Sequence, residues 1–264
     1  MEHLEFTLDG GVATLTFNRP ERKNALSMDM RAGIAAALER IEADRGISAV
    51  ILTGAGGVFC AGGDISLMSE LTPNSVRQRL NEAHRWIDRL LNLDRPVIAA
   101  VDGAAFGAGF GLALAADFVL ASARARFCMA FARIGLAPDF GVYYTLPRVV
   151  GLQRAKELIY SAREISAAEA QRLGIVLEIH PVEGLLPRAR EIAGSMAQSS
   201  SVAFGLTKRI LNRSLETSAA TLFELEADAQ GVAVSSDYFR AAIARFGRKE
   251  PPLFNWPAAE ARED

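Results

Sequence analysis

Val97-Ile98-Ala99-Ala100-Val101-Asp102-Gly103-Ala104-Ala105-Phe106-Gly107-Ala108-Gly109-Phe110-Gly111 opens the stretch whose reading decides the fold, and Ala137-Pro138-Asp139 closes it. The first five residues are apolar, partly β-branched and bounded by Pro96 and Gly103, which predicts a buried strand. The glycines that follow allow tight turns and bring bare backbone close to a ligand. Leu112-Ala113-Leu114-Ala115-Ala116 favours a helix, so the segment predicts a strand, a Gly-rich loop and a helix over 108–116. Such a junction offers unpaired N–H groups and the positive end of a helix dipole. It suits a developing negative charge on oxygen, or a phosphate; a tight turn with no ligand would read the same way.

Working outward, Phe6–Leu8, Asp9-Gly10-Gly11 and Val12–Phe17 predict a β-hairpin. Ser27 is placed to cap a helix carrying Ile34, Ala37, Leu38 and Ile41 at helical spacing up to Gly46. Ala49–Thr53 reads as a buried strand, and Thr72-Pro73 starts a long helix with Val76, Leu80, Ala83, Ile87 and Leu90 on one face. A strand at Phe118–Leu120 follows. Ser166-Ala167-Ala168-Glu169 has the form of a capping box for a helix stopping at Gly174, and Ile175–Ile179 reads as a short strand. No strand candidate follows Glu183; Leu222, Leu225, Ala229 and Val232 mark one of several terminal helices. Strand and helix alternate through the first two-thirds, which implies a mostly parallel α/β core over 1–195 and a helical region over 196–264. The tail Glu260–Asp264 is charged and expected to fray.

Half of the 264 residues are hydrophobic, enough for a large core and against disorder. With 29 basic and 31 acidic residues and no basic tract, the chain is a poor candidate for binding nucleic acid. Two cysteines, Cys60 and Cys128, suit a reducing compartment and cannot alone make a four-ligand metal site. The start Met1–Glu5 resembles no signal or transit peptide. The most apolar window, Gly103–Ala116, is too short to span a bilayer. These features predict a cytoplasmic protein without membrane association.

Two Gly-rich loops, Cys60–Ile65 and Gly103–Gly111, each follow a strand at its C-terminal end, where ligands gather in α/β sheets. If both face one cleft, two backbone N–H groups can converge on a carbonyl oxygen and stabilise an enolate or tetrahedral oxyanion, by about 3 to 4 kcal/mol per donor. Neither loop ends in the Gly-Lys-Ser/Thr of a phosphate loop, and the run from Gly107 is not a dinucleotide fingerprint.

Four motifs now stand in order: Asn18-Arg19-Pro20…Asn24-Ala25-Leu26, Phe59–Ile65, Asp102-Gly103…Phe106-Gly107-Ala108-Gly109 and Leu146-Pro147-Arg148…Gly151. Together, and over nearly the whole chain, they resemble the crotonase (enoyl-CoA hydratase/isomerase) superfamily. The resemblance implies a spiral of ββα units and a C-terminal helical region that forms trimers, often paired into hexamers. It also implies acyl-CoA thioester substrates and no metal or redox cofactor. By motif, it implies an oxyanion hole on the N–H groups of Gly63 and Ala108. It further implies CoA along Arg22, Lys23, Asn24 and Ala25 and along Ala61, Gly62, Gly63, Asp64 and Ile65. Phe106, Gly107, Phe131 and Pro138 fall on the substrate side by the same matching.

The hydratases of this superfamily place glutamates at two positions that hold Gly111 and Phe131 here. The carboxylate that remains is Asp139, in Gly135-Leu136-Ala137-Pro138-Asp139-Phe140-Gly141. An aspartate at that site resembles two branches, the ring-epoxide and Δ3,Δ2-enoyl-CoA isomerases, and the 4-chlorobenzoyl-CoA dehalogenases. A dehalogenase also carries a tryptophan, at the position of Phe131, and a histidine on a helix like that of His84; the sequence after Asp139 stands closer to the isomerases. A single carboxylate suits isomerisation, taking a proton from the α carbon and returning it at the γ carbon. Its reference pKa of about 3.9 makes it a weak base, which burial against Phe131 and Phe140 would strengthen.

Plainer roles stand beside these. Asp139 could cap a helix starting near Phe140. Asp64 could be a base but more simply a hydrogen-bonding or ion-pairing loop residue. Arg22 and Lys23 could be surface charges, and Tyr143 and Tyr144 helix packing. His3, His84 and His180 read as isolated filler, and the cysteines as small hydrophobes. The expectation is an isomerase using Asp139. The alternatives are a hydratase or hydrolase activating water through Asp139 or Asp64, and a non-catalytic acyl-CoA-binding subunit.

Overall fold

The computed structural model describes residues 2–68 and 71–258; the tail read as fraying, Glu260–Asp264, lies outside them. β1 (Leu4–Asp9) and β2 (Val12–Phe17) form the expected antiparallel hairpin. The Ser27 hydroxyl accepts from Met30 N–H and caps α1 (Met28–Ala43). β3 (Ala49–Gly54) is followed by α2 (Pro73–Leu91), opened by a capping box between Thr72 and Ser75. The segment that decides the fold becomes β4 (Val97–Val101), β5 (Ala104–Phe106) and α3 (Ala108–Leu114). Then come β6 (Phe118–Ser122), β7 (Arg126–Cys128), α4 (Val142–Val150), α5 (Leu152–Ser161), β8 (Glu164–Ser166), α6 (Ala167–Arg172) and β9 (Glu178–His180). α7 (Val182–Met196), α8 (Ser201–Arg213), α9 (Ala219–Val234) and α10 (Asp237–Gly247) complete the order.

The large sheet runs β1-β2-β3-β4-β6-β9, parallel except for the first pair. A second layer holds β5-β7-β8, and the isolated bridges Leu26–Gly63 and Cys60–Ala105 extend it. Each turn of the chain thus gives one strand to the large sheet, one extended segment to the second layer, and then a helix. This is the ββα spiral. In β4, Ile98 and Ala100 meet Leu185, Ala189 and Ile192 of α7, while Val97, Ala99 and Val101 join the core under α1 and α2. Both faces are covered, which is why the strand reads as continuously apolar.

Several boundaries differ from the sequence reading. The helix expected over 108–116 ends at Leu114, and the strand expected over 175–179 is Glu178–His180. β5, β7 and β8 have three residues each, too short to show alternation. The Ser166 cap forms, but Glu169 does not complete the box, because Arg163 takes its carboxylate at 2.7 and 3.1 Å. His180 is not isolated either; its ring bonds Glu178 at 2.8 Å, within a cluster that includes Arg188.

α8 is fastened to the core. Lys208, 6% exposed, meets Asp117 at 2.8 Å, and Asn212 donates to Leu91 O at 2.8 Å. Tyr144 reaches Asn212 O from α4, whereas Tyr143 stands exposed. By contrast α9 and α10 bury no residue, and Phe223 and Phe246 are 69% and 82% exposed. No helix among the described residues is long and apolar enough to cross a membrane.

Candidate active site

The two Gly-rich loops meet. Cys60 N–H donates to Ala104 O and Phe106 N–H to Cys60 O, both at 2.9 Å, so the loop after β3 runs alongside β5. The approach is so close that a Cβ on Gly109 would lie 2.2 Å from Cys60 O, which only glycine permits. Gly62 (φ +104°) brings the loops together at their tips: a methyl group there would sit 3.7 Å from Ala108 N. Ala108 is the first residue of α3, so its N–H has no intrahelical acceptor. Among the described residues, neither it nor Gly63 N–H has a protein partner.

The polar loop after β2 is stitched to the same place. Asn24 is fully buried, with its amide donating to Ala55 O and Val58 O at 2.9 and 2.6 Å. Ala61 N–H donates to Lys23 O, and Leu26 N–H to Gly62 O. This sets Arg22, Lys23 and Ala25 beside Ala61–Ile65, with Arg22 and Lys23 exposed and Ile65 71% exposed.

Beside Gly63 opens a cavity of about 290 Å³. Leu26, Met28, Met68, Val76, Leu80 and Leu136 give it an apolar wall, and Arg31, Asp64, Arg79 and Asp139 supply its charges. Pro138 also lines it. Phe106, Gly107 and Phe131 do not; Phe131 is buried against Gly107. Phe140 is not a wall residue but a support beneath. It is 1% exposed and stacks edge-on against Trp86, with the Arg31 guanidinium 5.1 Å from its ring centre. Its φ of +54° is a costly conformation for a bulky residue, of about 1 to 3 kcal/mol. This turn of the backbone directly follows Asp139, which lines the cavity.

Asp139 is not a helix cap: Gly141 occupies that position, and Val142 N–H donates to the backbone carbonyl of Asp139, not to its carboxylate. Its Oδ1 is buried and has no hydrogen-bond partner among the described residues. Burial raises its pKa from 3.8 to about 6, against a smaller lowering by Arg31. Asp64 is the opposite case. Ser66 donates to its Oδ1 and Arg19 to its Oδ2 at 2.5 Å, so its pKa falls to about 2. Cys60, fully buried, has its thiol pushed up to about 12 and is inert.

The absence of carboxylates at 111 and 131 has a structural counterpart. A Cβ on Gly111 would lie 3.0 Å from both Cβ and O of Phe140, so a side chain there must displace Phe140. Position 131 is filled by a buried ring.

Sequence reasoning missed Arg31, Arg79 and most of the apolar wall. Arg31 stands on the first turn of α1, three residues after Met28, and both line the cavity. A signal existed in α2: Val76 and Leu80 continue the buried stripe of Ala83 and Ile87, yet they face the cavity instead of the core.

The geometry can be compared with known proteins. A sequence profile of the enoyl-CoA hydratase/isomerase family matches residues 7–257. The chain is 36% identical to the 1,2-epoxyphenylacetyl-CoA isomerase of Escherichia coli K12, covering 96% of this chain and 98% of that one. It is 37% identical to the short-chain-enoyl-CoA hydratase of Clostridium acetobutylicum, over 91% and 93% of the two chains. A crystal structure of an enoyl-CoA hydratase/isomerase from Cupriavidus metallidurans CH34 superposes with a TM-score of 0.94 at 46% identity, covering 98% of this chain and 99% of that one.

Proposed function

This chain belongs to the enoyl-CoA hydratase/isomerase family, and from that premise we propose that it is an acyl-CoA isomerase that shifts a double bond beside the CoA thioester. One observation carries the reading: of the two carboxylates among the described lining residues, Asp139 has a buried oxygen without a partner. In a 3-enoyl thioester, Asp139 removes a proton from the α carbon. The electrons of that C–H bond pass into a dienolate whose oxygen accepts from Gly63 and Ala108 N–H. The same carboxyl then returns the proton at the γ carbon, leaving the double bond between the α and β carbons. No atom is gained, and the steps call for no metal or redox cofactor. A base with a pKa of about 6 is ionised at neutral pH yet stronger than an exposed aspartate.

Hydration is the chemistry of some relatives. It is disfavoured here because positions 111 and 131 hold Gly and Phe where the superfamily's hydratases carry glutamates, and Asp64 has both oxygens engaged. The exposed Arg22 and Lys23, beside Ala61–Ile65, suit the phosphates and adenine of CoA, and the cavity beside Gly63 suits the acyl chain. The bare apolar faces of α9 and α10 support self-association, as a trimer or hexamer in the cytoplasm. Incubating 2-enoyl- and 3-enoyl-CoA in deuterated water tests the chemistry. The expected products carry deuterium at the α or γ carbon and a shifted double bond; a 3-hydroxyacyl product would replace this reading with hydration.

A further inference from the structure

The geometry points to an acyl group that carries a second carboxylate, held in the cavity by Arg31 with Arg79 lining the same space. The inference rests on reading this cavity as the acyl pocket. It starts from a charge imbalance. Asp64 is neutralised by Arg19 outside the lining, so among the described residues the remaining lining charges are two guanidinium groups against the one carboxylate of Asp139. The described lining is therefore net positive.

Arg31 is the group that needs explaining. Its Nε is buried with no partner, and among the described residues its guanidinium forms no hydrogen bond or ion pair. Asp139 would be its natural partner, and its Oδ1 is also unsatisfied, yet the two do not meet within ion-pair distance. A pair of this kind held apart costs stability unless something else satisfies it. Nη2 of Arg31 lies 3.8 Å from the Cβ position of Gly63, so the guanidinium stands in the cavity beside Gly63. Arg79, on the first half of α2, lines the same space; burial chiefly lowers the pKa of Arg31, and repulsion from Arg79 lowers it further. Two mutually repelling guanidinium groups over an apolar cavity make a fork for a planar anion, which accepts charge-assisted bonds from both. A purely hydrocarbon chain would leave both arginines desolvated and unpaired.

The test compares hexanoyl-CoA with adipoyl-CoA, the mono-thioester of the diacid of equal chain length. Neither has a double bond to move, so calorimetry at pH 8 reads binding alone. Adipoyl-CoA is expected to bind about tenfold or more tightly. Arg31→Met should bring the ratio close to one, Arg79→Met should reduce it, and Arg31→Lys should restore part of it. Equal or weaker binding of adipoyl-CoA by the parent protein overturns the inference. So does an equal loss for both esters in the methionine variants, which would assign the arginines to the common CoA moiety or to the fold. The ratio requires no turnover; failure of the isomerase reading shows separately, as no deuterium uptake.

Discussion

Two loops bring an aspartate to the same cavity, and they are built in opposite ways. Asp64 is locked: Arg19 and Ser66 engage both of its oxygens, and its pKa sits near 2. Asp139 follows an exposed stretch and precedes a strained, buried Phe140; its Oδ1 has no partner and its pKa rises to about 6. One residue type thus has two roles, set by whether hydrogen bonds or desolvation dominate its surroundings. The difference teaches that a carboxylate already satisfied by the fold holds a loop, while one left unsatisfied is available to a substrate.

The sharpest way to break this contrast is to remove each carboxylate in turn. Asp139→Asn should cut deuterium exchange into a 3-enoyl-CoA by about a thousandfold, within the range for losing a general base. Asp64→Asn should stay within about tenfold of the parent, because it disturbs loop position and not proton transfer. If Asp64→Asn were the more damaging variant, the assignment would reverse.

The stability of the same variants sharpens the comparison. A carboxyl whose folded pKa is raised from 3.8 to about 6 favours folding while protonated. That contribution is complete below about pH 4 and is lost as pH rises through about 6. At pH 8 the ionised Asp139 therefore weakens the fold, and Asp139→Asn should be more stable than the parent by about 2 to 3 kcal/mol. Near pH 4 the two should converge. The lowered pKa of Asp64 works the other way: its stabilisation is present above the unfolded value and is lost as pH falls through about 2. Denaturant unfolding at both pH values checks this, and an Asn variant less stable at pH 8 would mean that Asp139 has a partner in the folded state.

Filling the room beside Asp139 should have a smaller effect. Gly111→Ala puts a methyl group 3.0 Å from Phe140, and overpacking of this kind costs about 1 to 3 kcal/mol. Because Phe140 positions Asp139, deuterium exchange should fall along with the melting temperature. An unchanged exchange rate would separate Phe140 from catalysis.

Much of this was legible in the sequence, and the exceptions share a cause. Val97–Val101, the loop after it and the helix at Ala108 were readable because strand period, glycine and helix propensity agree there. Asp139 stood out because its neighbours lack any other acid in the motif. What the sequence did not show depends on contacts between distant segments. β5, β7 and β8 exist only because neighbouring turns of the spiral pair with them. The box at Ser166 failed because Arg163 competes for Glu169. Phe140 was expected on the wall, but with a positive φ its ring is buried against Trp86. Arg31 carries no signal in the sequence, because the cavity it lines is made by segments far apart in the chain.

Arg31 gives the finest test, since it acts on the contrast without being either carboxylate. Asp139 must be ionised to take a proton, so kcat/KM should rise with pH and level off above an apparent pKa near 6. The positive charge of Arg31 holds that value below what burial alone would set. Arg31→Met removes the charge and keeps the bulk, so the acid limb should move to higher pH; Arg31→Lys should keep it near the parent position. A residue that served only packing would lower activity at every pH and leave the limb where it was. A limb that stays fixed in Arg31→Met would therefore mean that the charge of Arg31 is not felt at Asp139, and that burial alone tunes the base.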